Sequence, residues 1–174
     1  PAGVKTYTSS YIKSVHGKTS VAYIPTGNVR SFIKYLTEQG SGELTDKDIH
    51  LVAKSLAESD LVGLSSMSQY STTVHKIIAE IRIINPKSYI VWGGIHAIIH
   101  PEDAILIADA VCTGEGEFAF EKMIRSYANG ENFTDTPGFW FNSTKGVIKN
   151  KNLPLMTQNE MNELPLLLYQ NDEF

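Results

Sequence analysis

Apolar residues recur along the chain in two alternating patterns. Short runs rich in β-branched and apolar residues predict buried strands, and longer segments with apolar residues three or four positions apart predict helices. The predicted strands are residues 19–27, 60–67, 88–94 and 110–114. The predicted helices are residues 28–39, 46–58, 71–85, 101–109 and 115–130. Strands that alternate with helices imply right-handed βαβ units, so we predict a Rossmann-like or flavodoxin-like α/β fold, doubly wound around a mostly parallel sheet.

Local signals place the ends of these helices. Ser68 or Ser71 is a candidate N-cap for the third helix, which Pro86 terminates. Gly130 is the predicted C-cap of the last one. This last helix should turn four apolar side chains inward: Phe118, Met123, Ile124 and Tyr127.

The spacing of apolar residues changes after the last predicted helix. Residues 137–152 alternate apolar and polar positions on both sides of the sequence NSTKG, which predicts a β-hairpin. The leucine- and proline-rich residues that follow contain no clear element, and residues 1–18 receive no assignment. We therefore expect an α/β domain at 1–137, a hairpin at 138–151 and a connector at 152–174.

Composition narrows the possible partners. The formal net charge of −4 and the pI near 5.7 give no support for a nucleic-acid partner, because proteins that bind a phosphate backbone are usually basic. No apolar run approaches the ~18 residues that span a membrane, and no secretory signal is visible. Cys112 is the only cysteine, which fits a reducing compartment and cannot by itself hold an iron–sulfur cluster. We expect a cytoplasmic location, with neither nucleic acid nor membrane as a partner.

Glycines, hydroxyls and acids follow three of the predicted strands. Ligands bind at the carboxyl ends of the strands in open α/β sheets, so we expect these three loops to form one binding edge. The candidate binding residues are Ser65, Ser66, Met67, Gly93, Gly94, His96, Gly114, Glu115 and Gly116. No protein metal ligand and no catalytic group is predicted among them.

Two features of these loops have simpler readings. GEGE, residues 114–117, matches the loose dinucleotide fingerprint GxGxxA with Ala119, but it follows the last strand rather than the first. A tight turn with helix-cap acids explains it equally well. His96 and His100 have the i, i+4 spacing of helical metal ligands. Because Pro101 follows directly, we expect a loop whose histidine hydrogen-bonds backbone or ligand.

Taken together, the three loops carry a family resemblance. The series DLVGLSSMS, INPKSYIVWGGIHAIIHPEDAI and DAVCTGEGEFAFEKMI resembles the cobalamin-binding domain that precedes the radical domain of radical S-adenosylmethionine enzymes. The resemblance implies that cobalamin lies on the carboxyl edge of the sheet. Ser65, Ser66 and Met67 would line its nucleotide tail. Gly93, Gly94 and His96 would pack near the tail or the corrin ring, and Gly114, Glu115 and Gly116 would close the third side.

The same resemblance implies a larger protein. A [4Fe–4S] cluster and S-adenosylmethionine would belong to a downstream radical domain, because this sequence has no CxxxCxxC motif. That domain would be the partner of this one. In such enzymes cobalamin often carries a methyl group to an unactivated carbon, and other members rearrange or cyclise their substrates.

The motif that would supply a lower axial histidine to the cobalt is missing from its expected place. DIHLVA, residues 48–53, is close to the DxHxxG motif that supplies this histidine in some cobalamin proteins, but it falls in a predicted helix before a middle strand. Its sixth position is Ala53 rather than glycine, so we interpret His50 as a surface residue. The resemblance then implies cobalt without a histidine from the protein.

Two alternatives remain open. A degenerate domain could keep the fold for docking or substrate gating without a cofactor, with Trp92, Ile95 and Ile98 filling the corrin space. A nucleotide or flavin binder of the flavodoxin type is the second alternative.

Overall fold

The computed structural model describes residues 44–164. Two compact units divide the chain. The first is Glu43–Leu153, and the second joins Pro1–Gly42 to Pro154–Phe174. Of the second unit only residues 154–164 are described, and they contain one short helix. The strand predicted at 19–27, the helix predicted at 28–39 and residues 1–18 lie outside the described residues.

Helices and strands alternate through the first unit. Its helices are α1 Asp46–Leu56, α2 Ser71–Ile84, α3 Ile95–Ile99, α4 Pro101–Ala104 and α5 Glu117–Ala128. Its strands are β1 Leu61–Ser65, β2 Tyr89–Gly93, β3 Ala110–Cys112, β4 Phe139–Ser143 and β5 Gly146–Lys149. A short 3₁₀ helix, Ser68–Tyr70, leads into α2.

The five strands form one sheet in the order β1-β2-β3-β4-β5. β1, β2 and β3 are parallel, whereas β4 pairs antiparallel with β3 and with β5. The prediction of a Rossmann-like α/β fold with a C-terminal hairpin is confirmed. Because the parallel strands share one direction, the loops after them emerge at one edge.

Apolar side chains of α5 cover one face of the sheet around Val91 and Cys112. Met123 is fully buried there, and Phe120 and Ile124 pack beside it. Phe118 was predicted to face inward; it is half-buried, but the side chain that packs on this cluster is Phe120. The positions 120, 123, 124 and 127 keep the spacing of one helical face, and residue 118 breaks it.

Several helix ends differ from the sequence prediction. Neither Ser68 nor Ser71 caps α2, because Met67 and Tyr70 occupy the N-cap positions of the 3₁₀ helix and of α2 and make no side-chain cap bond. Asn129 is the C-cap of α5, and Gly130 lies one residue beyond it with φ +68°.

Two segments that were expected to be irregular contain helices. The sequence after Gly94 forms α3, and the tail forms α6, Gln158–Glu163, in the second unit. A reciprocal pair of hydrogen bonds between Thr157 and Glu160 caps α6. None of the helices in residues 44–164 is long and apolar enough to cross a membrane.

Candidate functional site

The loops that follow β1 and β2 are joined by backbone hydrogen bonds. The parallel register sets Ser65 beside Gly93 at the two strand ends. One residue further, the Ser66 N–H donates to the Gly93 carbonyl at 3.2 Å, and the His96 N–H donates to the Ser66 carbonyl at 3.1 Å. The structure therefore brings the first two predicted loops into one connected surface.

Gly94 is the point of closest approach between these loops. Its backbone has φ +87° and ψ −175°, a conformation that is essentially restricted to glycine. A Cβ at this position would lie 2.6 Å from Ser65 Oγ and 2.8 Å from the backbone nitrogen and oxygen of Ser66. Both backbone geometry and space thus require glycine here, and the Gly93–Gly94 pair leaves the end of β2 without side chains.

Cys112 connects the second loop to the third. Its Cβ lies 3.5 Å from where a Gly93 Cβ would stand, and its Sγ lies 3.7 Å from the corresponding position of Gly116. The thiol also contacts the Gly114 carbonyl at 3.5 Å. Burial raises the pKa of the thiol to about 11, and the charge of Glu117 adds to this effect. Cys112 is therefore a neutral packing residue beneath the edge.

Asn152 holds the third loop from the chain that follows the hairpin. Thr113 Oγ1 donates to Asn152 Oδ1 at 2.6 Å, and Asn152 Nδ2 donates back to the Thr113 carbonyl at 3.1 Å. The Asn152 side chain also covers Gly114, whose added Cβ would lie 3.5 Å from it. Sequence reasoning missed Asn152, because a separation of 39 residues leaves no periodic signal.

His96 lies beneath the loops and is almost completely buried. Its Nε2 is 2.9 Å from Asp103 Oδ2, and the same carboxylate oxygen is 3.1 Å from His75 Nε2. Its ring stacks on Trp92 with centroids 4.8 Å apart. The Nδ1 atom is buried and has no hydrogen-bond partner among the described residues.

Asp103 is the acid that joins the two imidazoles. Desolvation raises the pKa of its carboxyl, but hydrogen bonds to His75 and His96 and their charges outweigh that effect and hold the pKa below its ordinary value. Asp103 is therefore an ionised acceptor near neutral pH, which favours an N–H on the Nε2 atom of both rings.

Apolar side chains stand exposed around the first two loops. Met67, Ile95 and Ile98 expose 41%, 51% and 43% of their surface, so this part of the edge presents apolar surface to solvent. Trp92, by contrast, is fully buried, and its Nε1–H donates to Ser66 Oγ at 3.0 Å. Trp92 thus supports the edge from beneath and does not fill it, while Glu115 is exposed on the third loop.

His50 lies on α1 and faces α2. Its Nδ1 is 2.6 Å from Glu80 Oε1, and the side chain is about half exposed. This placement agrees with the interpretation of His50 as a surface helix residue. Within residues 44–164 no cluster of three or more histidine, cysteine or acidic side chains has the arrangement of a metal site.

Comparison with known proteins gives a family for this chain. The family model described as the B12 binding domain matches residues 32–124, which is more than half of the sequence. An uncharacterized methyltransferase of Pyrococcus horikoshii is 25% identical over 169 residues, which cover 93% of this chain and 36% of that protein. The chain therefore spans little more than a third of the curated relative that it matches.

Solved structures show the same fold. The radical S-adenosylmethionine methyltransferase TsrM of Kitasatospora setae, solved with cobalamin and a [4Fe–4S] cluster, matches with a TM-score of 0.51 at 20% identity. The match covers 66% of this chain and 22% of TsrM. The cobalamin-dependent S-adenosylmethionine radical enzyme OxsB, solved with aqua-cobalamin and S-adenosylmethionine, matches with a TM-score of 0.51 at 21% identity, over 64% of this chain and 16% of OxsB.

Proposed function

The chain belongs to the B12-binding domain family, and we propose that it holds cobalamin against the three loops at the carboxyl edge of its sheet. The observation that carries this proposal is the glycine pair at the end of β2. Because neither residue has a Cβ, the end of β2 packs directly against the Ser65–Ser66 loop at Gly94 and against Cys112 at Gly93. The three loops therefore lie close together along one edge, and a wide, flat ligand can lie across such an edge.

The chemistry of the edge fits a corrinoid. Met67, Ile95 and Ile98 offer exposed apolar surface to a macrocycle, and Ser65 and Ser66 offer hydroxyls to the polar nucleotide tail. Gly114, Glu115 and Gly116 would close the third side, where Asn152 holds the loop in place.

In our proposal, neither His50 nor His96 supplies a lower ligand to cobalt. His50 is paired with Glu80, and His96 is buried with Nε2 committed to Asp103. His96 therefore supports the loop from beneath and does not contact the cobalt.

We further propose that the domain works within a longer cytoplasmic enzyme. Its partner would be a downstream radical domain with a [4Fe–4S] cluster and S-adenosylmethionine, reached through residues 152–174 after the α/β domain at 1–137 and the hairpin at 138–151. Bound cobalamin would supply methyl transfer or a related radical reaction. The methyltransferase name of the Pyrococcus horikoshii relative and the cobalamin-bound fold neighbours support this proposal.

Uptake of hydroxocobalamin tests the proposal directly. The 174-residue chain is incubated at neutral pH with hydroxocobalamin and, separately, with cobinamide, a corrinoid without the nucleotide base, passed through a desalting column and measured by visible absorbance. We expect cobalamin to elute with the protein. Complete separation of the protein from both corrinoids would favour the cofactor-free alternative.

A pair of exposed apolar residues supplies the control. Ile98→Glu places a charge on the proposed corrin surface, whereas Leu106→Glu places one on the segment that leads into the amino end of β3. Both side chains are exposed, so neither change should unfold the protein. Weaker binding is expected for Ile98→Glu alone, and equal weakening by both would place the ligand elsewhere.

A further inference from the structure

Resting on the proposed cobalamin site, we infer that Ser66 binds the cofactor as a hydrogen-bond donor through a hydroxyl that Trp92 orients, and that Asp103 positions this pair through His96. The acceptor on the ligand is an oxygen or nitrogen lone pair, of the kind that phosphate, amide carbonyl and unprotonated base nitrogen provide.

The direction of the Ser66 hydroxyl follows from its bond to Trp92. An indole N–H can only donate, so Ser66 Oγ must be the acceptor in the 3.0 Å contact with Trp92 Nε1. The hydroxyl proton of Ser66 then points away from the indole. Because Ser66 is partly exposed while Trp92 is fully buried, that proton remains available to a ligand at the edge.

The indole itself is held by two imidazole rings. His96 stacks on Trp92 at 4.8 Å with an interplanar angle of 27°, and His75 meets it edge-on at 5.3 Å and 78°. Both imidazoles place Nε2 on the same oxygen of Asp103. One carboxylate thus fixes both rings that fix the indole.

The backbone completes the arrangement. The Ser66 N–H and carbonyl are bonded to Gly93 and His96, so the main chain of Ser66 cannot shift without breaking the junction of the two loops. With its main chain and its oxygen both fixed, Ser66 has one remaining degree of freedom, the rotation of its hydroxyl. Within residues 44–164 the Asp103 carboxylate bonds the side chains of His75 and His96 and not Ser66 or Trp92, so we assign it as a positioning residue.

A double-mutant cycle separates this role from general support of the fold. The dissociation constant of hydroxocobalamin is measured for the wild type, Ser66→Ala, Trp92→Phe and the double variant. Loss of one neutral hydrogen bond predicts about 3- to 10-fold weaker binding for Ser66→Ala, and a similar or smaller loss for Trp92→Phe. Trp92→Phe should cost nothing further when residue 66 is alanine.

Matched controls accompany the cycle. Trp140→Phe removes the other indole, which lies on the hairpin against Lys149, and should leave the affinity unchanged. Asp103→Asn should weaken binding in the Ser66 background and not in the Ser66→Ala background, whereas Glu102→Gln, at the neighbouring exposed acid, should have no effect in either. Ser66→Thr, which keeps the hydroxyl, should restore most of the affinity.

A measurement without the cofactor checks the hydrogen bond itself. In a ¹⁵N–¹H NMR spectrum the Trp92 indole N–H should exchange faster with solvent in Ser66→Ala than in the wild type, with Trp140 as the internal reference. If the wild type binds hydroxocobalamin and Trp92→Phe weakens binding equally in the Ser66 and Ser66→Ala backgrounds, the inference is wrong. It is also wrong if the Trp92 indole N–H exchanges at the same rate in Ser66→Ala as in the wild type. A wild type that binds no cobalamin would instead refute the proposed function, and the ligand half of the inference with it.

Discussion

Replacing Gly94 by alanine should lower the free energy of unfolding more than the same change at a glycine of positive φ whose added Cβ would contact no other atom. At φ +87° and ψ −175°, a residue with a side chain carries about 1–3 kcal/mol of backbone strain. The new methyl group would also lie 2.8 Å from two backbone atoms of Ser66, which cannot rotate away. Overpacking of this kind costs about 1–3 kcal/mol, so the two effects together predict a loss of about 2–6 kcal/mol.

Gly130→Ala is the matched control. Gly130 also has positive φ, at +68°, but a Cβ there would meet nothing within 4 Å. Its expected cost is the conformational strain alone, about 1–2 kcal/mol. Both substitutions reduce the entropy of the unfolded chain in the same way, so this contribution cancels when the two variants are compared.

Urea unfolding gives the comparison directly. The free energy of unfolding of Gly94→Ala should fall below that of Gly130→Ala by at least about 1 kcal/mol, with a similar denaturant slope in both. Gly94→Ala should also bind hydroxocobalamin less tightly under native conditions, since the Ser65–Ser66 loop must move to make room. Equal stabilities within about 0.5 kcal/mol would show that the loop yields freely, and would refute the argument that this junction is tightly packed.

Three further predictions concern Cys112, Asn152 and His50. Burial raises the pKa of the Cys112 thiol from about 9 in the unfolded chain to about 11 in the folded one, so the free energy of unfolding should fall as the pH rises between these values, by at most about 1.4 kcal/mol per pH unit. In urea titrations, the difference in this free energy between the wild type and Cys112→Ala should therefore shrink over that range. A constant difference would contradict the prediction. Asn152→Ala removes both bonds to Thr113 and should cost about 1–3 kcal/mol in urea unfolding and weaken hydroxocobalamin binding, whereas Asn129→Ala at an exposed helix end should change neither. His50→Ala should leave the visible spectrum of bound cobalamin unchanged, and a shifted spectrum would show that His50 does reach the cobalt.

Local periodicity explains why the middle of the fold was predictable. α2 repeats isoleucine at helical spacing, and its buried members are Ile77, Ile78 and Ile81. β2 is an apolar run that is buried along its centre, as parallel strands are. These signals lie within windows of a few residues, so they survive without knowledge of the rest of the chain. The fold class and the resemblance to the cobalamin-binding domain were predicted from these signals, and the family model and the solved structures confirm both.

Helix ends were less predictable because several local signals compete there. Ser68 and Ser71 are good N-cap residues, yet a 3₁₀ turn takes up the position and leaves both side chains without a capping role. Thr157 is an equally good cap with Glu160 three residues later, and there the reciprocal bonds do form. A hydroxyl-bearing residue therefore caps one helix and not another, depending on the path of the chain before it.

The sequence by itself determined which three loops meet at one edge, because parallel strands separated by helices must present their carboxyl ends together. It also determined that the second loop carries no side chains at its tip, since Gly93 and Gly94 are adjacent in the chain. These properties depend only on neighbouring residues and on the direction of the strands.

Only the tertiary structure decided what supports that edge. Trp92 was a candidate to fill the corrin space, and the structure instead buries it beneath Ser66, while His96 turns from the predicted ligand surface to Asp103. Asn152 reaches Thr113 across 39 positions of sequence. The direction of a side chain at the end of a strand depends on which distant residues can satisfy its polar atoms, and no pattern within one segment contains that information.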